Sequence, residues 1–319
     1  MRSSILFVIV FQFLVVKFYG QDPVFSQYYI NSMHLNPAIA GSANDPRIFL
    51  HYRNQWPAIG NAFITYQGSY DQFIKPLNGG IGINMVRDNI LGGALSSTNL
   101  DLIYSYRFKA TTSLTMQAGL QASFNFINRN ITTTGATLPI DFPVSQSTTQ
   151  PDFGMGILGM TKNSQIGLSV NHLNSGYLRF NYNFIPSPLK ISFFYTRKFK
   201  IYNKYKVKDN GFYVSPAILV QKQAESIMLN YGVGIRAGNL LAGMWMRTNL
   251  PFQFSAAIFS LGFAFDNVTI GYSYDYNMLS LDKVMPVTGA HEITLVAVLA
   301  LDPKRGRYGP IKCPSSFVQ

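Results

Sequence analysis

Charge is what this chain has least of. Asp, Glu, Lys and Arg together supply 13% of its 319 residues, where an ordinary soluble domain carries about a quarter. Glutamate occurs only as Glu225 and Glu292. A single cysteine, Cys313, excludes an intramolecular disulfide framework and is expected to be a free, buried thiol. Beyond Gly20 no apolar run approaches the ~20 residues of a membrane helix. No Cys/His cluster has metal-site spacing, no glycine-rich loop has phosphate-binding spacing, and no serine or aspartate nucleophile stands out beside a base. The expectation is a non-enzymatic protein without a cofactor.

What is present is apolar and aromatic: 47% of the chain is hydrophobic, with 19 Tyr and 25 Phe. Met1-Arg2-Ser3-Ser4, an apolar run from Ile5 to Val16 and then Lys17-Phe18-Tyr19-Gly20 form the pattern of a secretory signal over residues 1–20, with cleavage expected after Gly20. The alternative, a signal anchor, is disfavoured because the run is too short to span a bilayer. The net charge of +12 could suggest nucleic acid, but an exported chain meets little of it. Export, scarce charge and abundant aromatics fit an outer-membrane barrel in contact with lipid outside and water inside.

Period-two alternation supports that fold. Leu114, Met116, Ala118, Leu120, Ala122, Phe124 and Phe126 point one way, and Thr115, Gln117, Gly119, Gln121, Ser123 and Asn125 the other. The same division recurs from Leu100 to Phe108, from Ser226 to Arg236 and from Val268 to Tyr276. Alternation and turn residues predict strands at 45–54, 60–70, 79–88, 97–109, 112–128, 152–162, 164–173, 189–199, 210–221, 224–236, 239–249, 253–265, 267–276 and 288–301. The predicted fold is therefore all-β: a closed antiparallel transmembrane barrel of about 14 strands over 45–301.

An even count puts both ends of the barrel at the periplasmic rim, where the turns are short. Asp266-Asn267, Ala237-Gly238-Asn239, Lys162-Asn163 and Ala110-Thr111 suit that side, and the two longest loops, Asn128 to Pro151 and Leu173 to Pro188, fall outside. The basic residues Lys198, Lys200, Lys204, Lys206 and Lys208, with Lys304, Arg305 and Arg307 in a tail over 302–319, then lie in the periplasm. They could dock an acidic partner, or be no more than a solvated turn and a solvated tail.

Residues 21–44 precede the first strand and carry Phe25, Tyr28, Tyr29 and Leu35, which need burial. This segment is expected to fold into the periplasmic mouth and plug the lumen. Gly79-Gly80-Ile81-Gly82 would let the sheet bend or let such a plug approach closely. His291-Glu292 beside Thr294 could contribute to a reactive site, but a histidine opening the last strand is more readily interfacial. Trp56 is expected in an aromatic girdle and Arg53 paired inside the barrel, with Asp101 or Asp88 as conceivable partners.

Motifs along the chain carry a resemblance. Asp22-Pro23-Val24-Phe25-Ser26-Gln27-Tyr28, Asn36-Pro37-Ala38-Ile39-Ala40-Gly41, Tyr52-Arg53-Asn54-Gln55-Trp56-Pro57 and Gly79-Gly80-Ile81-Gly82, in this order, resemble the PorP/SprF family of outer-membrane proteins. The resemblance extends to His291-Glu292-Ile293 and Cys313-Pro314. It implies a barrel of the type IX secretion and gliding-motility machinery that supports secretion or surface attachment of a large adhesin or other client. Its implied partners are outer-membrane lipid and periplasmic ring components, and it marks Asp22, Pro23, Phe25, Gln27, Asn36, Pro37, Tyr52, Arg53, Gln55 and Trp56 as family positions. The last strand, Leu295 to Leu301, departs from outer-membrane barrels in lacking a terminal aromatic. A porin-like or hydrophobic-substrate channel is the competing function.

Overall fold

The computed structural model describes residues 22–30, 33–60, 62–130, 145–174, 187–201, 211–251, 253–278 and 289–299. Its strands are β1 (Arg47–Gln55), β2 (Phe63–Ile74), β3 (Gly79–Ile90), β4 (Leu95–Lys109), β5 (Thr115–Asn130), β6 (Ser145–Met160), β7 (Ser164–Asn171), β8 (Lys190–Arg197) and β9 (Phe199–Ile201). They continue as β10 (Phe212–Gln223), β11 (Ser226–Ala237), β12 (Leu240–Asn249), β13 (Gln253–Phe265), β14 (Val268–Asn277) and β15 (Ala290–Val298). β8 and β9 lie end to end against β10, so the fifteen segments make fourteen staves. Every stave pairs antiparallel with its neighbours in sequence, and β1 pairs with β15 to close the sheet. No described helix is long and apolar enough to cross a membrane.

The alternation sorts as predicted. On β5, Leu120 is 64% exposed on the outer face, while Gln117 and Ser123 are buried inside. Leu102, Tyr104 and Tyr106 face outward on β4 with Asp101 and Ser105 inward, and Tyr272 and Ile270 face outward on β14 with Ser273 and Asp275 inward. An apolar exterior replaces the charged surface of a soluble protein, which is why so few charges suffice.

All fourteen predicted strands are present, with one substantial difference at a boundary. β6 begins at Ser145 and not at residue 152, pairing Asn130↔Ser145 through Phe124↔Pro151 with β5. Residues 128–130 and 145–151 of the predicted loop are thus part of the β5–β6 ladder. Pro151 read as a strand boundary, but β7 joins β6 only from Met155 onward, so residue 151 sits where β6 has a strand on one side only. Proline is tolerated at such an edge.

Candidate functional site

Residues 22–30 and 33–44 lie against inward-facing residues from one rim of the barrel to the other. Aromatic residues bury the middle of this segment: Phe25 is edge-on to His34 and His51 at 5.0 and 5.5 Å, and Tyr29 stacks on Trp245 at 4.5 Å. Phe25, Tyr28, Tyr29 and Leu35 are all buried, as their composition required. The segment does not stop at the periplasmic mouth, however. Asp22 reaches the opposite, long-loop rim, where it meets the ends of β7, β8 and β10.

At that outer rim Asp22 accepts from Lys190 Nζ at 2.9 Å and Gln223 Nε2 at 3.2 Å, and bonds His172 Nε2 at 2.9 Å. His172 Nδ1 meets Asp152 at 2.5 Å. Burial disfavours the Asp22 carboxylate, but the Lys190 ammonium and His172 outweigh it and hold the carboxyl well below its usual range. Burial likewise disfavours the His172 imidazolium, yet Asp22 and Asp152 push it up to about 10.

Just inside that outer rim, near the outer ends of β1, β12, β14 and β15, a buried charge cluster grips the segment. Arg53 donates to Asp275 at 2.9 Å and to Glu292 at 3.1 Å, and Arg247 donates to Asp275 at 3.1 Å. Glu292 also accepts the backbone N–H groups of Ser26 and Gln27 at 2.8 and 2.9 Å. The Ser26 hydroxyl accepts from both Arg53 and Arg247 at 2.8 Å and donates to Asp275 at 2.7 Å. Two cations thus face two anions with all four side chains buried and hydrogen-bonded, the condition under which buried ion pairs offset their desolvation.

At the periplasmic rim Asp71 accepts from the Gly41 N–H at 2.7 Å and from Arg47 Nε at 2.9 Å, and Arg107 donates to the Gly41 and Ser42 carbonyls. Between these points the Asn36 side chain caps a short 3-10 turn, Pro37–Ile39, and donates to the Ile157 and Leu168 carbonyls of the wall. The wall is cut away where the turn sits. A Cβ at Gly119 would overlap Ala38, and one at Gly80 would overlap Ala40. Glycine at these two inward strand positions weakens the strand but admits another backbone.

Asp22, Phe25, Gln27, Asn36, Pro37 and Arg53, marked by sequence, are therefore brought together in the lumen, while Tyr52 points outward beside Tyr66. Pro23, Gln55 and Trp56 line a cavity of about 380 Å³ at the outer rim, Trp56 edge-on to Phe63 at 5.0 Å. Arg53 pairs with Asp275 and Glu292, not with Asp101 or Asp88. Those two are hydrogen-bonded by neutral neighbours: Asn84, Asn99 and Ser123 donate to Asp101, and Thr65 donates to Asp88. His291 and Glu292 face opposite sides of β15, His291 toward Tyr272 at 2.8 Å and Glu292 inward, so they do not form a shared site. Of the basic residues, Lys198 lies over the Tyr213 ring at 4.5 Å and Lys200 is exposed in β9; Lys204, Lys206, Lys208, Lys304, Arg305, Arg307 and Cys313 fall outside the described residues, as do 1–20 and 302–319. Sequence reasoning missed Asp275, Arg247, Lys190 and His172. Their only signal was an ionisable side chain on the polar side of an alternating strand or at its end.

Among solved structures the chain is similar to Omp33, an outer membrane protein of Acinetobacter baumannii (9% identity, 81% of this chain and 100% of that one, TM-score 0.47). It is also similar to CymD, a monoaromatic hydrocarbon channel (11%, 86% and 93%, 0.46), and to the Pseudomonas putida toluene transporter TodX (10%, 88% and 93%, 0.45). No curated protein matches it. Residues 17–296 match the family model described as "Type IX secretion system membrane protein PorP/SprF". With that match across most of its length and a closed fourteen-stave barrel to carry it, the chain belongs to the PorP/SprF family of outer-membrane proteins of the type IX secretion system.

Proposed function

We propose that this barrel supports the secretion or surface attachment of a large adhesin or other secreted protein, acting as a non-enzymatic scaffold beside periplasmic ring components. The family match over residues 17–296 carries this reading. The course of Asp22 to Asn44 supports a scaffold over a conduit: a folded or extended client would have to displace a segment held at both rims and by two buried N–H bonds to Glu292. The Ser26 hydroxyl, the one nucleophile in the charge cluster, is saturated by two guanidinium groups and a carboxylate, which supports a structural role for it.

The test is deletion of the gene in its native host, followed by mass spectrometry of the medium and the cell surface. Loss of many secreted proteins identifies a general secretion component, and loss of one adhesin identifies a dedicated partner. An unchanged secretome and surface would overturn the proposal and favour a porin-like or hydrophobic-substrate channel.

A further inference from the structure

The cavity of about 380 Å³ at the outer rim opens between the Asp22 end of the lumenal segment and the outer ends of β1–β3 and β10–β13. We propose that it is a binding site for a neutral saccharide of the extracellular face.

The cations that line the cavity are already paired. Arg53 and Arg247 are paired with Asp275 and Glu292, and Lys190 is paired with Asp22. Among the described residues a phosphate or carboxylate ligand would find no free cation lining the cavity and would meet the carboxylates of Asp22 and Asp88. What remains available is neutral or accepting. Among the described residues, the side chains of Gln55, Asn249, Ser226 and Ser255 make no hydrogen bond to the protein, and all four line the cavity. Asp88 accepts one bond, at Oδ1 from Thr65 at 2.6 Å, and no described cation pairs with it. Two amides, two hydroxyls and a carboxylate with an open oxygen can together accept from and donate to vicinal hydroxyl groups.

The apolar part of the wall fits the same ligand. Trp56 and Phe63 pack edge to face at 5.0 Å on one side of the cavity, offering an aromatic surface to the C–H face of a sugar ring. Trp56 holds that place with a left-handed backbone, φ 57° and ψ 57°, a conformation that disfavours any side chain except in a built local setting. A cavity with an aromatic wall and a few convergent polar groups is the usual form of a small-ligand site.

The experiment uses the full-length protein in detergent and reads saturation-transfer NMR from the protein to three kinds of probe. These are neutral methyl hexopyranosides and their oligomers, lipid-free and lipid-linked polysaccharide purified from the host surface, and an uncharged tetrapeptide as control. Transfer to sugar C–H protons is expected, weakened about tenfold in apparent affinity, a loss of about 1.4 kcal/mol, by Trp56→Gly and by Asp88→Asn. Trp56→Gly removes the ring while glycine suits the left-handed backbone, and heat-modifiable migration on gels confirms that each variant still forms a barrel. Transfer to the lipid-linked polysaccharide alone would assign the ligand to the membrane surface, and transfer to lipid-free sugars as well would assign it to soluble glycan. No transfer to any saccharide, equal transfer to the peptide, or transfer indifferent to both variants would overturn the proposal. None of these results bears on the secretome, so the scaffold reading stands or falls separately.

Discussion

Arg53 and Glu292 are 239 residues apart in sequence and directly opposite each other where β1 closes on β15, with Arg53 Nη1 donating to Glu292 Oε2 at 3.1 Å. The closing seam of the barrel is therefore also the place where the lumenal segment is held, because the same carboxylate accepts the Ser26 and Gln27 N–H groups. The closing seam and the docked segment share one side chain.

Replacing it should expose that coupling. Glu292→Ala leaves Asp275 as the one carboxylate paired with Arg53 among the described residues and strands two buried N–H donors, and removal of one partner of a buried ion pair costs about 3–5 kcal/mol. The expected outcome is a lowered urea midpoint of the folded barrel and a lumenal segment newly open to protease. A variant with wild-type midpoint and protection would disprove the coupling.

The glycine seat gives a more local test. Gly119→Val places a side chain where Ala38 now lies, so the segment should be displaced while the outward face of β5 is untouched. Limited proteolysis is expected to cleave between Asn36 and Asn44 in the variant only, with heat-modifiable migration retained.

If the segment seals the lumen, its removal should open it. Planar-bilayer recordings of a variant lacking residues 22–41 are expected to show steady channels absent from the intact protein. Equal conductance of the two would sink the idea of a plug.

The rim contacts set a pH dependence. The His172 imidazolium is held up to about 10, against about 6.5 for an unfolded histidine. Its stabilising contribution is thus complete below about 6.5, declines as pH rises from there, and is lost once pH passes about 10. Asp22 is shifted the other way, so its contribution is kept at neutral pH, declines as pH falls through the ordinary carboxylate range and is gone once pH drops through its depressed folded value. The stability difference between wild type and His172→Gln should therefore be flat from about pH 5 to about pH 6.5 and shrink toward about pH 10; a difference that grew from about pH 6.5 to about pH 10 would contradict the assignment.

Orientation can be checked on whole cells. Asp22 lies at the long-loop rim, on the side of His172, Lys190 and Gln223, so an epitope placed immediately before it should be labelled in intact cells. One placed in the turn at residues 110–114 should need permeabilisation. The reverse pattern would invert the barrel.

Much of this architecture was legible without coordinates. Leu120 against Gln117, or Tyr272 against Asp275, declares its face through a period of two that depends on nothing beyond neighbouring residues, and fourteen such runs set the stave count. The burial of Phe25, Tyr28 and Tyr29 followed from their apolar area, and the glycines at 79–82 left open either a bend of the sheet or a close approach of a plug. The tertiary structure alone decided which inward residues meet. Asp88, Asp101, Asp275 and Glu292 look equally good as partners for Arg53 in the sequence, because alternation says that a side chain points inward but not what stands across from it. That choice is made by register accumulated around a closed sheet. The path of Asp22 to Asn44 was likewise hidden: the segment has no period of its own, and only the assembled wall, with its glycine seat and its charges at both rims, carries it to the far side of the lumen.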